Sequence, residues 1–386
     1  MRCDVLVVGA SPAGIMAALA SARYGADVIL MDKTLGDMNH IANTIFQGMA
    51  LRSGLHINNS YITNELEGMR IISPGGFGLT IPAHGYFIDR RKFDDYYIEM
   101  ARAAGVALLR QEVLDLKQEG SHRSVVTDQE EINAHIVIDA SGIQPALAQK
   151  AGLSPMRHPT DIAWAIEALV EHPRFHEEHY FEYFVGSIAP GWKATFSPAG
   201  NDRATLGVFV RGHGPNIYPF FKNFINYFKN FKSRSLEDIE RIKIVSKVCS
   251  GDPIAVLPGK IVSEGFMVTG GAAGQSGLAY GMRAGTICGQ VAGEALKSMN
   301  FSRRYLQRYE KRWGFEFYWE YRLGRAALET LKDMSDRELD GLIKNLSGKK
   351  LALEGSLIEK SSYAGAKVAK ENPKVIFDLI RNLIRA

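Results

Sequence analysis

Cysteine is scarce. Three occur in 386 residues, Cys3, Cys249 and Cys288, with no CxxC pair and no histidine cluster beside them. That excludes a disulfide framework and argues against a zinc site, so no metal is expected. Charge of one sign is also missing: the net charge is +4 and evenly spread, which excludes a nucleic-acid-binding surface. There are no internal repeats and no low-complexity tract. With 46% hydrophobic and 23% charged residues, the composition is that of an ordinary globular chain. The eighteen uncharged residues from Val5 to Ala22 have the length of a signal peptide or short membrane span. Gly9, Ser11, Pro12 and Gly14 interrupt that run and Asp4 precedes it, so a strand, a tight turn and a helix fit it better. A cytoplasmic location is expected.

Glycine is plentiful, at 38 residues, and it falls at the ends of apolar runs. Val5-Leu6-Val7-Val8 predicts a strand buried on both faces. It enters Gly9-Ala10-Ser11-Pro12-Ala13-Gly14, and a helix follows with Ile15, Ala18, Leu19 and Ala22 inward. A second apolar strand, Val28 to Met31, ends at Asp32. Each part has a physical task. Gly9 allows the sharp turn and Gly14 lets the helix lie on the strand. Ser11 suits the N-cap, and Pro12 the first helical position. The helix-start amides, Ala13 included, then face a pyrophosphate, and Asp32 accepts from ribose hydroxyls. Lys33 is a weaker candidate contact, since a solvated charge explains it as well. The pattern predicts a Rossmann-like dinucleotide-binding unit, and only one such fingerprint is present.

Two later segments repeat the theme. Ile136 to Gly142 is a buried strand ending in small residues, with Ala140 and Gly142 placed for close approach. It follows a meander of short strands whose first, Glu112 to Lys117, brings Val113 into the candidate cofactor set. Gly265 to Gly274 is another strand running into a glycine-rich turn, with Gly270, Gly271, Ala272 and Gly274 as candidate contacts. In the helix after it, Gly281, Gly285, Gly289 and Gly293 recur every four residues. Charges at Arg283, Glu294 and Lys297 argue against a membrane span, and packing on the first βαβ unit accounts for the ridge.

Glycine-rich strand ends at these separations resemble the p-hydroxybenzoate-hydroxylase-like class of FAD proteins. The finer resemblance is to the geranylgeranyl reductase family, including archaeal digeranylgeranylglycerophospholipid reductases. It rests on Gly9 to Gly14, Ile88-Asp89-Arg90-Arg91-Lys92-Phe93-Asp94, Val137 to Gly142 and Gly270 to Gly285. The tail adds Tyr305 to Trp313 and Met334 to Asp340. The resemblance implies FAD as cofactor, Arg90 beside it, and reduction of isoprenoid carbon–carbon double bonds. Without it, Arg90 and Asp94 could simply dress a helix start. Three departures stand out. Gly271 replaces the family's aspartate, the stretch after it is short, and the substrate-cavity signature is altered across Pro190 to Pro198. The family's cysteine after the first acidic strand end is also absent. These touch substrate identity more than FAD binding.

The expected fold is α/β (α+β overall). A discontinuous FAD-binding domain spans 1–152 and 251–300, with 71–84 an excursion toward the substrate side. An antiparallel-sheet substrate domain covers 153–250, and a helical region 301–386. The aromatic helix from Ile217 to Phe231 reads as core, or as the wall of a hydrocarbon cavity. The last helix, Pro373 to Ala386, is amphipathic and fits either a membrane interface or its own protein. The partner is then an isoprenoid or other hydrophobic small molecule, with the electron donor open. Catalytic residues are unassigned; Tyr280, His40 and Gln275 are the polar groups considered as proton donors. A monooxygenase or halogenase of the same fold, and a non-catalytic flavin or lipid carrier, are the alternatives. The halogenase Trp-x-Trp-x-Ile-Pro signature is absent.

Overall fold

The computed structural model describes residues 1–35, 41–119, 122–143, 145–233, 235–236, 238–254, 256–347 and 373–385. The chain begins β1 (Arg2–Val8), α1 (Pro12–Arg23), β2 (Val28–Met31), β3 (Thr44–Phe46), α2 (Gln47–Ser53), β4 (Ile62–Ile72), β5 (Gly78–Ile88) and α3 (Arg90–Ala103). Next come β6 (Ala107–Leu109), β7 (Val113–Glu119), β8 (His122–Thr127), β9 (Glu131–Asp139), α4 (Ala146–Lys150), β10 (Ala163–Glu171) and β11 (Tyr180–Phe184). β12 (Lys193–Gly200), β13 (Arg203–Arg211), α5 (Tyr218–Lys232), β14 (Lys243–Asp252), β15 (Val262–Ser263) and β16 (Phe266–Val268) follow. Helices α6 (Leu278–Lys297), α7 (Arg303–Leu306), α8 (Arg308–Lys332), α9 (Asp336–Leu346) and α10 (Pro373–Arg385) end it.

Two sheets result. The first has the order β15-β16-β9-β1-β2-β6, with the β7–β8 hairpin added alongside β9. Its centre is parallel, Val5 pairing with Val28 on one side and Ile136 on the other. Those strands are apolar and buried on both faces, with α1 packed against one of them. The second sheet runs β14-β10-β13-β12-β11-β4-β5-β3. It takes in more of the chain than the expected 71–84 excursion: pairing begins at Thr44 and includes all of β4 and β5. β14, exposed along most of its length, is a strand that the sequence pattern did not announce.

The glycine ridge has the packing role expected of it. Side chains at Gly285, Gly289 and Gly293 would run into Ala13, Ala17 and Tyr24 of α1 respectively. Ser21 Oγ donates to the Gly289 carbonyl at 3.3 Å, so the two backbones meet. On the second sheet, α5 buries Phe221, Phe224 and Phe228 against Phe184, Phe196 and Leu206. The aromatic helix is therefore core. α10 lies along α8, where Asn382 Nδ2 donates to Thr330 Oγ1 and Arg322 to the Leu383 carbonyl.

Candidate active site

The first glycine turn is built backbone against backbone. Gly9 has φ +102°, and a Cβ there would lie 2.5 Å from the Ala140 carbonyl oxygen. A Cβ on Gly14 would enter the Gly9 carbonyl oxygen. Ser11 caps α1 by accepting from Gly14 N at 3.2 Å, with Pro12 at the first helical position. Asp32 does more than its position suggested. One carboxylate oxygen accepts from Ala10 N at 2.8 Å and the other from Thr34 N at 2.7 Å, so it clamps the turn to the end of β2. The second oxygen also accepts from Thr34 Oγ1 at 2.9 Å, so the oxygen bonded to Ala10 N is the one that keeps a further lone pair. Lys33 instead forms an exposed ion pair with Glu112 at 3.0 Å, which contributes little. That pair brings Val113, the first residue of β7, near the Asp32 strand end.

Two further turns converge on the first. Buried Asp139 accepts from Ser141 N and Oγ and from Ala148 N, shaping the Ala140–Gly142 corner. Gly270, at φ +66°, sits so close to α1 that a Cβ would be 2.6 Å from Ala13 Cβ. Gly274 closes this short turn, Ala272 is buried, and Gly271 faces Gly142. Gln275 Oε1 accepts from Gly270 N at 2.9 Å and Tyr309 Oη at 2.9 Å. Gln275 is thus occupied in holding the turn. Tyr280 Oη donates to Glu320 Oε1 at 2.6 Å, and His40 lies outside the described residues.

This cradle fits FAD. The helix-start amides at α1 and at Gly270–Ala273 have no intrahelical acceptor, and no side chain stands between Gly142 and Gly271. A Cβ on Gly142 would meet nothing within 4 Å, and one on Gly271 only Gly142 backbone at 3.7 Å. There is room where family members carry aspartate. Gly271→Asp is therefore expected to bind FAD about 1 kcal/mol more tightly, roughly fivefold, through a charged acceptor near a helix start. Titrating apo-protein with FAD checks this; equal or weaker binding would mean that Gly271 does not face the ribityl chain.

Arg90 pins the segment leading to β3. It donates to the Ile41 and Ala42 carbonyls at 3.1 and 3.4 Å and approaches Asp94 at 3.7 Å. Glu167 holds the same segment, accepting from Asn43 Nδ2 at 2.7 Å. Thr44 and Ser197 hydroxyls meet at 2.6 Å.

Glu167 belongs to a face that the sequence reading missed. Strand alternation sends Ile166, Ala168, Phe196 and Leu206 toward α5. The opposite face, toward the Ile41–Phe46 segment, carries Glu167, Lys193, Thr195, Ser197, Tyr183 and Asp252. Charged groups there are costly. Burial pushes the Glu167 carboxyl up to about 7, against the pull of Ala42 N, Lys193 and Arg90. Burial likewise raises Asp252 to about 6 despite Lys193, and lowers Lys193 despite both acids. Perturbed groups of this kind mark functional sites. The available signal was a glutamate inside the apolar run Ala-Trp-Ala-Ile-Glu-Ala-Leu-Val.

The face adjoins the cofactor cradle through Asp252. Tyr321, whose charge-state Asp252 influences, donates from Oη to the Ser276 carbonyl at 2.6 Å.

Comparison with known proteins adds a second line. Residues 4–160 match a family described as FAD dependent oxidoreductase. Digeranylgeranylglycerophospholipid reductase 1 of Methanothermobacter thermautotrophicus is 30% identical, over 97% of each chain. Digeranylgeranylglycerophospholipid reductase of Methanocaldococcus jannaschii is also 30% identical, over 89% of this chain and 90% of its own. Among solved structures, a geranylgeranyl bacteriochlorophyll reductase-like protein from Thermoplasma acidophilum superposes with TM-score 0.85 at 23% identity, covering 99% of both chains. A flavin-dependent brominase shares the fold at TM-score 0.68 and 16% identity, covering 94% of this chain and 98% of its own.

Proposed function

The chain belongs to the digeranylgeranylglycerophospholipid reductase family of FAD-dependent oxidoreductases, and from that premise we propose that it saturates carbon–carbon double bonds in geranylgeranyl-type chains of a lipid. The observation that carries the reading is the 30% identity to a reductase of that name along 97% of both chains.

Bound FAD, once reduced, supplies a hydride. Gly9, Ser11, Pro12, Ala13, Gly14, Asp32 and Arg90, with Val113, Ala140, Gly142, Gly270, Gly271, Ala272 and Gly274, form or adjoin the pocket that would hold it. The task left to the protein is to align an unpolarised alkene and keep water out. Phe181, Tyr183, Trp192 and Phe209 offer an aromatic wall for such a chain on the second sheet's inner face. α8 closes the far side of the Gly270 turn through Tyr309 and Tyr321.

A lipid substrate also calls for a route to a bilayer. Among the described residues, no helix is long and apolar enough to cross a membrane. Phe315 and Trp319 of α8 are 94% and 64% exposed, and Ile380 and Ile384 of α10 are exposed too. Arg322 stacks by Trp319 and binds the α10 backbone, linking the two helices. We assign this surface to peripheral membrane contact from the cytoplasmic side.

Anaerobic, dithionite-reduced protein mixed with geranylgeranyl-chain phospholipid vesicles tests the function. The expected result is flavin reoxidation with a gain of one H2 per saturated bond by mass spectrometry. Lipid recovered unchanged overturns it.

A further inference from the structure

We propose that Lys193 is the general acid of this reduction, giving its ammonium proton to one alkene carbon while the hydride reaches the other. The proposal rests on the reductase reading above and supplies the proton donor that reading lacks.

The case begins with placement. Lys193 pairs with Phe209 across β12 and β13, on the sheet face turned away from α5. Its Nζ lies 5.0 Å from the Phe209 ring centre, 5.1 Å from Tyr183, 5.3 Å from Trp192 and 5.7 Å from Phe181. Among the described residues it makes no hydrogen bond and no ion pair. Compare Lys232, the more buried of the two, which is held by Glu178 at 2.7 Å and Glu182 at 2.9 Å. An ammonium used only as structural ballast is secured in that manner. Lys193 is left with its protons pointing among rings.

The titratable groups facing it come from three strands of the same sheet: Asp252 on β14, Glu167 on β10 and Tyr183 on β11. Asp252 and Glu167 influence its charge without reaching ion-pair distance. Beyond Asp252 stands Tyr321 of α8, and beyond Glu167 stands Arg90 of α3. Burial lowers Lys193 from its ordinary range, which makes the ammonium a stronger acid at neutral pH. Asp252 and Tyr321 connect this group to the Ser276 carbonyl beside the cofactor cradle.

The chemistry balances. The alkene π pair takes a proton from Nζ, and positive charge develops on the adjacent, more substituted carbon. That carbon accepts the hydride with its electron pair, reduced FAD becomes oxidised, and Lys193 is left a neutral amine. Asp252 or water then returns the proton. The rings that face the ammonium beforehand face the carbon bearing the charge afterwards. Cation–π attraction is thus retained while the charge moves.

The test uses FAD-loaded protein reduced anaerobically and mixed with geranylgeranyl-chain phospholipid vesicles. Lys193→Met should slow flavin reoxidation by about 10²- to 10⁴-fold. Lys193→Arg keeps the charge but does not release a proton in this range, so it should be as slow. The wild-type rate should fall as pH rises through the lowered Lys193 pKa. Without lipid, Trp192 emission in the holoenzyme should titrate at the same midpoint, and that change should vanish in Lys193→Met and Trp192→Phe. Should Lys193→Met lose its fold, the wild-type pH limb and the Trp192 titration still decide. Full rate in Lys193→Arg, or no Trp192 titration below the ordinary lysine range, overturns the proposal alone. A wild type that leaves the lipid unreduced removes the reductase reading and this proposal together.

Discussion

Gly14→Val is expected to purify without FAD. The reason lies in the approach of α1 to β1: even a Cβ at this position would enter the Gly9 carbonyl oxygen, and it would sit 3.0 Å from Ala140 Cβ. Backbone cannot swing aside as a flexible side chain can. Gly9 is itself held, since its N–H donates to the Met31 carbonyl at 2.7 Å. Valine must push α1 away from the strand, and the Ser11 cap, Ala13 and the helix-start amides move with it. Overpacking of this sort costs about 1–3 kcal/mol in an adaptable core, and here it falls on the phosphate cradle. The absorbance of the purified protein reads the outcome. Gly314→Ala is the control, because a Cβ there meets nothing within 4 Å and should leave the protein yellow. A fully yellow Gly14→Val would show that this turn does not carry the cofactor.

Arg211→Met should destabilise the protein by about 3–5 kcal/mol, the scale for breaking a buried ion pair from one side. The guanidinium is wholly buried. It donates to Asp161 at 2.6 and 3.1 Å, to Glu329 at 2.5 Å and to the Gly191 carbonyl at 3.2 Å. Methionine fills most of the space but leaves two carboxylates with Arg325 and, for Asp161, Lys332 as the remaining cations. Glu329 lies on α8 and Arg211 on β13, so the second sheet should loosen from the helical region. The pH dependence has a definite sign. Burial works against the Asp161 carboxylate, yet Arg211 holds it below the usual range. Its folded pKa is lowered, so its stabilising contribution is present above the unfolded value and lost as pH falls through the folded one. Thermal melts from neutral to acid should show this acid limb in wild type and a smaller one in Arg211→Met, where Arg325 and Lys332 remain. Coincident melts for the two proteins would contradict the argument.

The cofactor half of the site was legible because its signals are local. A strand, a turn, a helix and an acid within about thirty residues state their own geometry, and the ridge from Gly285 to Gly293 shows as a period. The other half was hidden because it is assembled across distance. Glu167, Lys193 and Asp252 share a face only through pairing among β10, β12, β13 and β14. None of the three was singled out in its own segment. β14 escaped notice because most of it is exposed, which leaves no apolar alternation to read. Most of β4 was assigned to the cofactor side because nothing near it in sequence announces that it runs parallel to β11, about a hundred residues later. The fate of Asp32 was half visible. Its place at a strand end shows in the sequence, while its bond to Ala10 N exists only once the turn has folded back.

The interleaving of the two sheets bears on the order in which a growing polypeptide can acquire structure. β1 pairs with β9, more than a hundred residues later in the chain, and β9 in turn with β16. The outer side of α1 is covered by α6, whose residues follow position 277. β4 meanwhile waits for β11. A nascent chain that ends after β9 would therefore display one edge of β9, a bare stripe of small residues on α1 and a hairpin without its parallel neighbour. Such surfaces invite association with other chains, and pairings this remote in sequence close slowly. The nucleotide turn encoded within the first fourteen residues is consequently among the last parts of the molecule to be completed.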